Sequence, residues 1–164
     1  MQIEKTAIDL DELHKASADG SCFICEFLKG NRDFKHHVVH ESESAVAFLS
    51  RFPTLFGYTL IAPKRHVEQV TEDFSEQEYV ELQRFIYRVS ESIRKVLKPE
   101  RLYILSLGSK LANAHVHWHI APLPPGIPLE QQQYHALMHE YGIVTTCESD
   151  QLDFIRRVQA ELKE

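Results

Sequence analysis

One segment of alternating residue types limits what this chain can fold into more than any other feature. From position 115 to position 120 the residues run His, Val, His, Trp, His and Ile. Because successive side chains of a β-strand point to opposite faces, the pattern predicts a strand over 115–121 with three imidazoles on one face. Imidazole titrates near neutrality, so three on one face suit chemistry better than a solvated surface. The alternatives are histidines without chemistry and a three-histidine zinc site with bound water.

The apolar face of that strand needs a partner, and a long helix is predicted to supply it. Ser75 and Glu78 fit a capping box at its start, and Lys98-Pro99 ends it. Between them, apolar residues recur at helical spacing on one stripe: Tyr79, Leu82, Ile86, Val89, Ile93 and Val96.

The remaining apolar runs predict an α+β fold with an antiparallel sheet. Strands are predicted at 38–41, 45–49, 58–62 and 102–107, and a helical turn at 27–31. Helices are predicted at 9–18, 129–141 and 151–162, the last capped by Asp150. The 164 residues suit one domain, and short strands in pairs around one long helix favour the α+β class.

Composition excludes several classes of function. The net charge of −6 argues against broad nucleic-acid binding. There is no apolar run long enough for a transmembrane helix, and the first residues lack the pattern of a secretory signal. We therefore expect a cytoplasmic protein without membrane or nucleic-acid partners.

Two cysteines separated by two residues suggest a metal site. Cys22 and Cys25 have the spacing of half a tetrahedral zinc site, and Cys147 stands alone. The other two ligands must then be histidines, one of them from the alternating strand. The alternative is a pair of buried thiols without metal.

Three of these segments together resemble the histidine triad (HIT) family of nucleotide hydrolases and transferases. Residues 115–121 are similar to its His-φ-His-φ-His-φ-φ signature, and residues 57–66 to its Gly-His-x-Leu-φ-φ-Pro-Lys-x-His segment. The cysteine pair stands where zinc-containing members have theirs. The resemblance covers about 21–124, the core of a single domain whose residues 126–164 form a helical extension. It implies a five-stranded antiparallel sheet with a long packed helix, usually in a homodimer.

The resemblance also implies the roles of the histidines. The middle histidine, His117, would be the nucleophile, which requires a ring that is metal-free and not covered by packed side chains. His119 would donate to the phosphate or leaving group, and it favours hydrolysis because transferase members often have Gln there. A structural zinc ion would be held by Cys22, Cys25, His66 and His115.

The substrate contacts implied by the resemblance are polar at one end and apolar at the other. Ser109 and Asn113 resemble the phosphate contacts, and Phe23 and Phe48 are candidates to contact the nucleoside. Ser50 stands where many members have Asn, which alters the contact expected there.

The function expected from these features is hydrolysis of dinucleoside polyphosphates or nucleoside phosphoramidates through a covalent nucleotidyl-histidine. One alternative is a nucleotidyltransferase or phosphorylase of the same superfamily. Another is a zinc-stabilised nucleotide-binding module without turnover. The expected partners are a small nucleotide substrate and a second copy of the chain.

Overall fold

A five-stranded antiparallel sheet forms the centre of the structure, a computed structural model that describes residues 4–9, 21–108 and 114–163. Its strands lie in the order β1-β2-β3-β5-β4, and every neighbouring pair is antiparallel. The predicted α+β class is therefore confirmed. The strands are β1 (Val38–Glu41), β2 (Ala45–Leu49), β3 (Thr59–Pro63), β4 (Arg101–Ser106) and β5 (Trp118–Leu123).

Within the described residues, four α-helices accompany the sheet: α1 (Phe23–Leu28), α2 (Glu76–Leu97), α3 (Tyr134–Leu137) and α4 (Glu148–Glu161). Short 3-10 turns lie at Arg32–Phe34, Leu129–Gln131 and His139–Tyr141. The helix predicted at 9–18 lies, apart from Asp9, outside the described residues. No helix within the described ranges has the length and apolar character needed to cross a bilayer.

The long helix α2 begins and ends as predicted. The Ser75 hydroxyl accepts a hydrogen bond from the Glu78 amide at 3.3 Å, and the Glu78 carboxylate accepts one from the Ser75 amide at 2.8 Å. This reciprocal pair satisfies two amides that have no partner inside the helix. At the other end Lys98 adopts a left-handed conformation with φ 48° and donates its amide to the Arg94 carbonyl. Pro99 then prevents continuation.

Both faces of the sheet are covered, which explains why β2 and β3 are buried along their whole length. On one face Ala47, Ile61, Trp118 and Ile120 pack with the stripe of α2 and with Phe154 of α4. On the other face a second cluster joins α1 to the residues that follow β5; it includes Ile24, Phe48, Leu60, Ala121, Leu123 and Ile127.

The alternating segment enters the sheet later than predicted. β5 begins at Trp118, so His115 and His117 precede the paired region. The alternation nevertheless holds, because the Val116 amide donates to the Val67 carbonyl at 2.8 Å and the Val116 side chain is only 6% exposed. Val116 and Trp118 both pack in the cluster with α2, as expected.

The predicted helix over 129–141 is wrong as one element, since the structure divides it into three short turns. Gln133 interrupts it with φ 54°, and its amide donates to the Tyr103 hydroxyl at 2.9 Å. Met138 is extended and starts the third turn. Contacts with the sheet thus replace the helical hydrogen bonds on which the prediction relied.

The C-terminal helix also begins earlier than predicted. The residue preceding its first turn is Cys147 rather than Asp150, and its side chain makes no capping bond. Glu148 and Asp150 lie inside the first turn, where negative charge favours the helix dipole.

The segment before α4 returns to the loop between β2 and β3. The Val144 amide donates to the Pro53 carbonyl at 2.7 Å. His139 bonds through Nε2 to the Phe52 carbonyl at 3.0 Å. The extension therefore packs on the stretch that leads to Tyr58.

We predict that Gly57→Ala destabilises the fold more than Gly30→Ala. Both glycines have φ near 80°, a left-handed value that costs any other residue about 1–2 kcal/mol. A Cβ at position 57 would also lie 2.7 Å from Leu97 Cδ1 and 3.1 Å from Phe154 Cζ, whereas at position 30 it meets nothing within 4 Å. Urea denaturation should show a loss of about 2–4 kcal/mol for Gly57→Ala and about half that for Gly30→Ala. Equal losses would contradict the packing described here.

Candidate functional site

Two thiols and two imidazoles from three parts of the chain converge beside the sheet. Cys22 precedes α1 and Cys25 lies one turn later, His66 follows β3, and His115 precedes β5. Their four ligand atoms all lie within 4.8 Å of one another. This is the set that the resemblance implied, and the structure brings all four side chains together.

The spacing of these atoms fits a tetrahedral ion. Cys22 Sγ lies 3.4 Å from His115 Nδ1, and Cys25 Sγ lies 3.3 Å from His66 Nδ1 and 3.6 Å from His115 Nδ1. Zinc bonds of about 2.3 Å to sulfur and about 2.0–2.1 Å to nitrogen give sulfur–nitrogen edges of about 3.5 Å in a tetrahedron. The four residues could therefore hold a metal ion with every position filled by protein.

Both imidazoles are oriented by their second nitrogen. His115 donates from Nε2 to the Pro63 carbonyl at 2.9 Å, so its Nδ1 carries the lone pair that faces the thiols. His66 Nε2 lies 3.3 Å from a carboxylate oxygen of Glu68. Such outer partners fix the tautomer and direction of metal-binding histidines.

Burial sets the protonation of this cluster when no ion is bound. Burial, together with Cys22, raises the pKa of the Cys25 thiol to about 11. Burial also lowers the pKa of His115 to about 4, which keeps its ring neutral near pH 7. A bound cation would reverse the effect on the thiol, because it stabilises the thiolate directly.

The alternative of a three-histidine metal site is not supported. His115 Nδ1 faces the thiols, His117 Nδ1 lies 2.8 Å from the His115 carbonyl, and His119 Nδ1 lies 3.1 Å from the Tyr58 hydroxyl. The three rings thus direct their nitrogens to different partners and do not converge on one point.

His117 is held in a single tautomer by the backbone. Its Nδ1 donates to the His115 carbonyl, so Nε2 carries the lone pair. Burial lowers the pKa of the ring, which therefore stays neutral near pH 7. The Ser106 hydroxyl donates to the His117 carbonyl at 2.8 Å and fixes the backbone at this point.

The requirement that His117 be uncovered is not met in this structure. The residue is only 2% exposed, and the Phe23 ring packs edge-on against it with centroids 6.1 Å apart. The His119 ring also packs against the His117 ring, with centroids 4.7 Å apart. His117 Nε2 has no hydrogen-bond partner among the described residues and, unlike His119 Nε2, is not one of the fully buried polar atoms that lack one.

His119 lies beside His117 and has one satisfied and one unsatisfied nitrogen. Nδ1 bonds to the Tyr58 hydroxyl, whereas the buried Nε2 has no hydrogen-bond partner among the described residues. Burial lowers the pKa of the ring to about 4, an effect that the nearby Leu107 carbonyl only partly offsets. Both candidate catalytic rings are therefore neutral.

Of the predicted substrate contacts in the described residues, one lies against His117 and the others have structural positions. Phe23 lies against His117, but Phe48 is fully buried beneath Phe23, so it supports the site rather than lining it. The Ser50 hydroxyl accepts from the Phe52 amide at 3.2 Å and stabilises a local turn. Ser109 and Asn113 lie outside the described residues.

Sequence reasoning missed two side chains of the site. Tyr58 contacts His119, and a signal was present, because Tyr58 follows Gly57 where the resembling segment has His. His36 packs between Phe27 and Phe48 on the same side as Phe23, and nothing in its local sequence indicated this.

Comparison with known proteins gives the family. The family model described as the HIT domain matches residues 31–125. The chain belongs to the HIT family. A HIT-like protein of Saccharolobus solfataricus is 34% identical over 104 residues, which cover 62% of this chain and 73% of that protein. The adenosine 5′-monophosphoramidase of Schizosaccharomyces pombe is 28% identical over 133 residues, covering 73% of this chain and 95% of that one.

Solved structures show the same fold. A histidine triad nucleotide-binding protein of Sulfolobus tokodaii matches with a TM-score of 0.67 and 23% identity, covering 87% of this HIT chain and 92% of the other. A zinc-bound histidine triad protein of Mycobacterium smegmatis matches with a TM-score of 0.67 and 19% identity, covering 87% and 94%.

We predict that metal content depends on the four converging residues and not on the third histidine of the triad. Elemental analysis of the purified protein should show about one zinc per chain, and Cys25→Ser or His66→Ala should lower it at least about tenfold. His119→Ala and the matched cysteine control Cys147→Ser should retain it. Loss of zinc in His119→Ala with retention in Cys25→Ser would instead support the three-histidine site.

Proposed function

We propose that this chain hydrolyses nucleoside phosphate derivatives through a covalent intermediate on His117, with His119 as a hydrogen-bond donor. The observation that carries the proposal is the 2.8 Å bond from His117 Nδ1 to the His115 carbonyl. An imidazole whose Nδ1–H is held in this way presents the lone pair of Nε2, which is the form able to attack phosphorus.

The reaction proceeds in two displacements. His117 Nε2 forms a bond to the α-phosphorus, the bond from phosphorus to the leaving group breaks, and the leaving group departs with the electron pair and takes up a proton from solvent. Water then attacks the phosphorus and gives up a proton to solvent, the bond to Nε2 breaks, and the mononucleotide leaves with neutral His117 restored. Positive charge that develops on the ring is stabilised by its bond to the carbonyl. The proposal requires that a phosphate reach Nε2 of a residue that is only 2% exposed.

The proposed substrate class is supported by the family and by the name of one relative. The Schizosaccharomyces pombe relative is named for action on adenosine 5′-monophosphoramidate. We therefore place nucleoside phosphoramidates first and dinucleoside polyphosphates second. His119, where transferase members often have Gln, favours water over phosphate as the acceptor in the second step.

The metal supports the site without taking part in the reaction. We propose a structural zinc ion on Cys22, Cys25, His66 and His115, whose donor set of two sulfurs and two nitrogens is typical of such sites. By holding His115, the ion would also fix the carbonyl that orients His117. The thiolates must stay reduced to bind it, which favours the cytoplasm.

We predict that His117→Ala lowers turnover of adenosine 5′-phosphoramidate by about a thousandfold or more, because it removes the nucleophile. Nucleotide binding, measured by calorimetry with AMP, should change less than about threefold, since binding uses other contacts. His40→Ala is the matched control, because His40 lies on β1 and stacks on Phe85, away from the triad.

Three outcomes are informative. Unchanged turnover in His117→Ala would exclude the covalent mechanism. Formation of a nucleoside diphosphate in the presence of inorganic phosphate would identify the phosphorylase alternative. Tight AMP binding by the wild-type protein with no turnover of either substrate class would identify a binding module.

We further propose that the chain, as a single domain with a C-terminal extension, forms a homodimer through β4. Among the described strands, β4 is an edge of the sheet and pairs only with β5. Ile104 in the strand is 48% exposed and Leu107 just beyond it is 59% exposed. An apolar edge strand with unpaired backbone groups favours pairing with a second copy.

We predict that Ile104→Lys raises the dimer dissociation constant about tenfold or more, because a charge on an edge strand opposes pairing. Sedimentation velocity should show the wild-type protein at twice the 19.0 kDa of one chain. Leu152→Lys is the matched control, since Leu152 is 44% exposed but lies on α4. A dimer equally stable in both variants would exclude β4 as the interface.

A further inference from the structure

The hydrogen bonding of His119 leaves one of its two nitrogens ready for a ligand. Nδ1 lies 3.1 Å from the Tyr58 hydroxyl, and the buried Nε2 makes no hydrogen bond of good geometry among the described residues, although the Leu107 carbonyl lies close enough to the ring to raise its pKa. A neutral imidazole carries one N–H, so the nitrogen that bears it decides whether Nε2 can donate or only accept. Buried polar atoms without partners are uncommon in proteins, and each needs a physical explanation.

Burial and backbone hydrogen bonds hold Tyr58 in place. It is 8% exposed and belongs to the cluster on the same face of the sheet as Ile24 and Leu60. Its amide donates to the Leu55 carbonyl at 3.2 Å, and its carbonyl accepts from the Ser50 amide at 3.0 Å. The tyrosine ring meets the His119 ring edge-on, with centroids 5.9 Å apart and planes at 84°.

The proton of the Tyr58 hydroxyl has one recipient in the described part of the chain. Burial raises the pKa of the phenol, so the hydroxyl keeps its proton near pH 7. The hydrogen bond to His119 is the one polar contact that the described residues offer it. If the hydroxyl accepted from Nδ1 instead, its own proton would remain buried without a partner, at a cost of about 1–3 kcal/mol.

A phosphate group distinguishes the two tautomers sharply. The oxygens of an ionised phosphate ester accept hydrogen bonds and have none to donate. Nε2–H attracts such an oxygen, whereas a lone pair on Nε2 repels it. The tautomer in which Nδ1 accepts and Nε2 donates is therefore the one that complements a nucleotide.

We propose that Tyr58 is a positioning residue that donates to His119 Nδ1 and thereby holds His119 as the Nε2–H donor to substrate. The proposal deepens the proposed function and rests on it for the identity of the ligand. The tautomer itself is a property of the free protein and can be measured without any substrate. Tyr58 acts through His119 and does not contact the phosphate.

Three variants test the proposal. Tyr58→Phe removes only the hydroxyl. Tyr103→Phe is the matched control, because the Tyr103 hydroxyl bonds to the Gln133 amide, outside the triad. His119→Gln provides a side chain whose amide nitrogen always carries hydrogen, so it needs no partner to select a tautomer.

We predict that long-range ¹H–¹⁵N correlation spectra of the wild-type protein show His119 with an unprotonated Nδ1 and a protonated Nε2. Tyr58→Phe should shift His119 toward a mixture of tautomers, and Tyr103→Phe should not. Tyr58→Phe should also lower kcat about tenfold while KM changes less than about threefold, because the lost donation matters most in the transition state. In the His119→Gln background the effect of Tyr58→Phe on kcat should disappear.

The outcomes separate this proposal from the function on which it rests. A protonated Nδ1 in the wild-type protein, or an unchanged tautomer in Tyr58→Phe, would overturn the positioning role. A full tenfold loss that persists in the His119→Gln background would also overturn it, since Tyr58 would then act independently of His119. If the tautomers behave as predicted but the wild-type protein turns over no nucleotide, the proposed function fails and the positioning role stands.

Discussion

The packing of Val116, Trp118 and Ile120 against α2 is the constraint on which the rest of the structure depends. All three side chains are almost completely buried. Because adjacent side chains in an extended segment point in opposite directions, this packing forces the three histidines to the other side. A shift of one residue would place the imidazoles in the apolar core, which makes the register unambiguous.

On the histidine side, the three imidazoles differ in the partner that one nitrogen of each ring bonds to. His115 is oriented by the Pro63 carbonyl, His117 by the His115 carbonyl and His119 by the Tyr58 hydroxyl. Burial lowers the pKa of all three rings, so the three rings differ in the direction of a neutral lone pair rather than in charge. One short segment can in this way serve a candidate metal centre at one end and candidate phosphate chemistry at the other.

Local signals predicted the elements that local physics determines. The limits of α2 followed from Ser75, Glu78 and Pro99 because caps act within one turn. The same signals failed after β5, where Gln133 leaves the helical conformation to bond with Tyr103. Tyr103 lies 30 residues earlier in the chain, so the local sequence of 129–141 could not indicate that a bond to it would interrupt the helix.

The sequence by itself determined the histidine alternation, the long helix that receives its apolar side, and the residue types from which a metal centre can be made. Only the tertiary structure decided that Cys25 and His66 meet His115 within one cluster, that Tyr58 supports His119, and that His117 is covered. The physical reason is range. Capping and side-chain alternation act between neighbours along the chain, whereas burial and the choice of hydrogen-bond partner depend on segments that meet only when the sheet has formed.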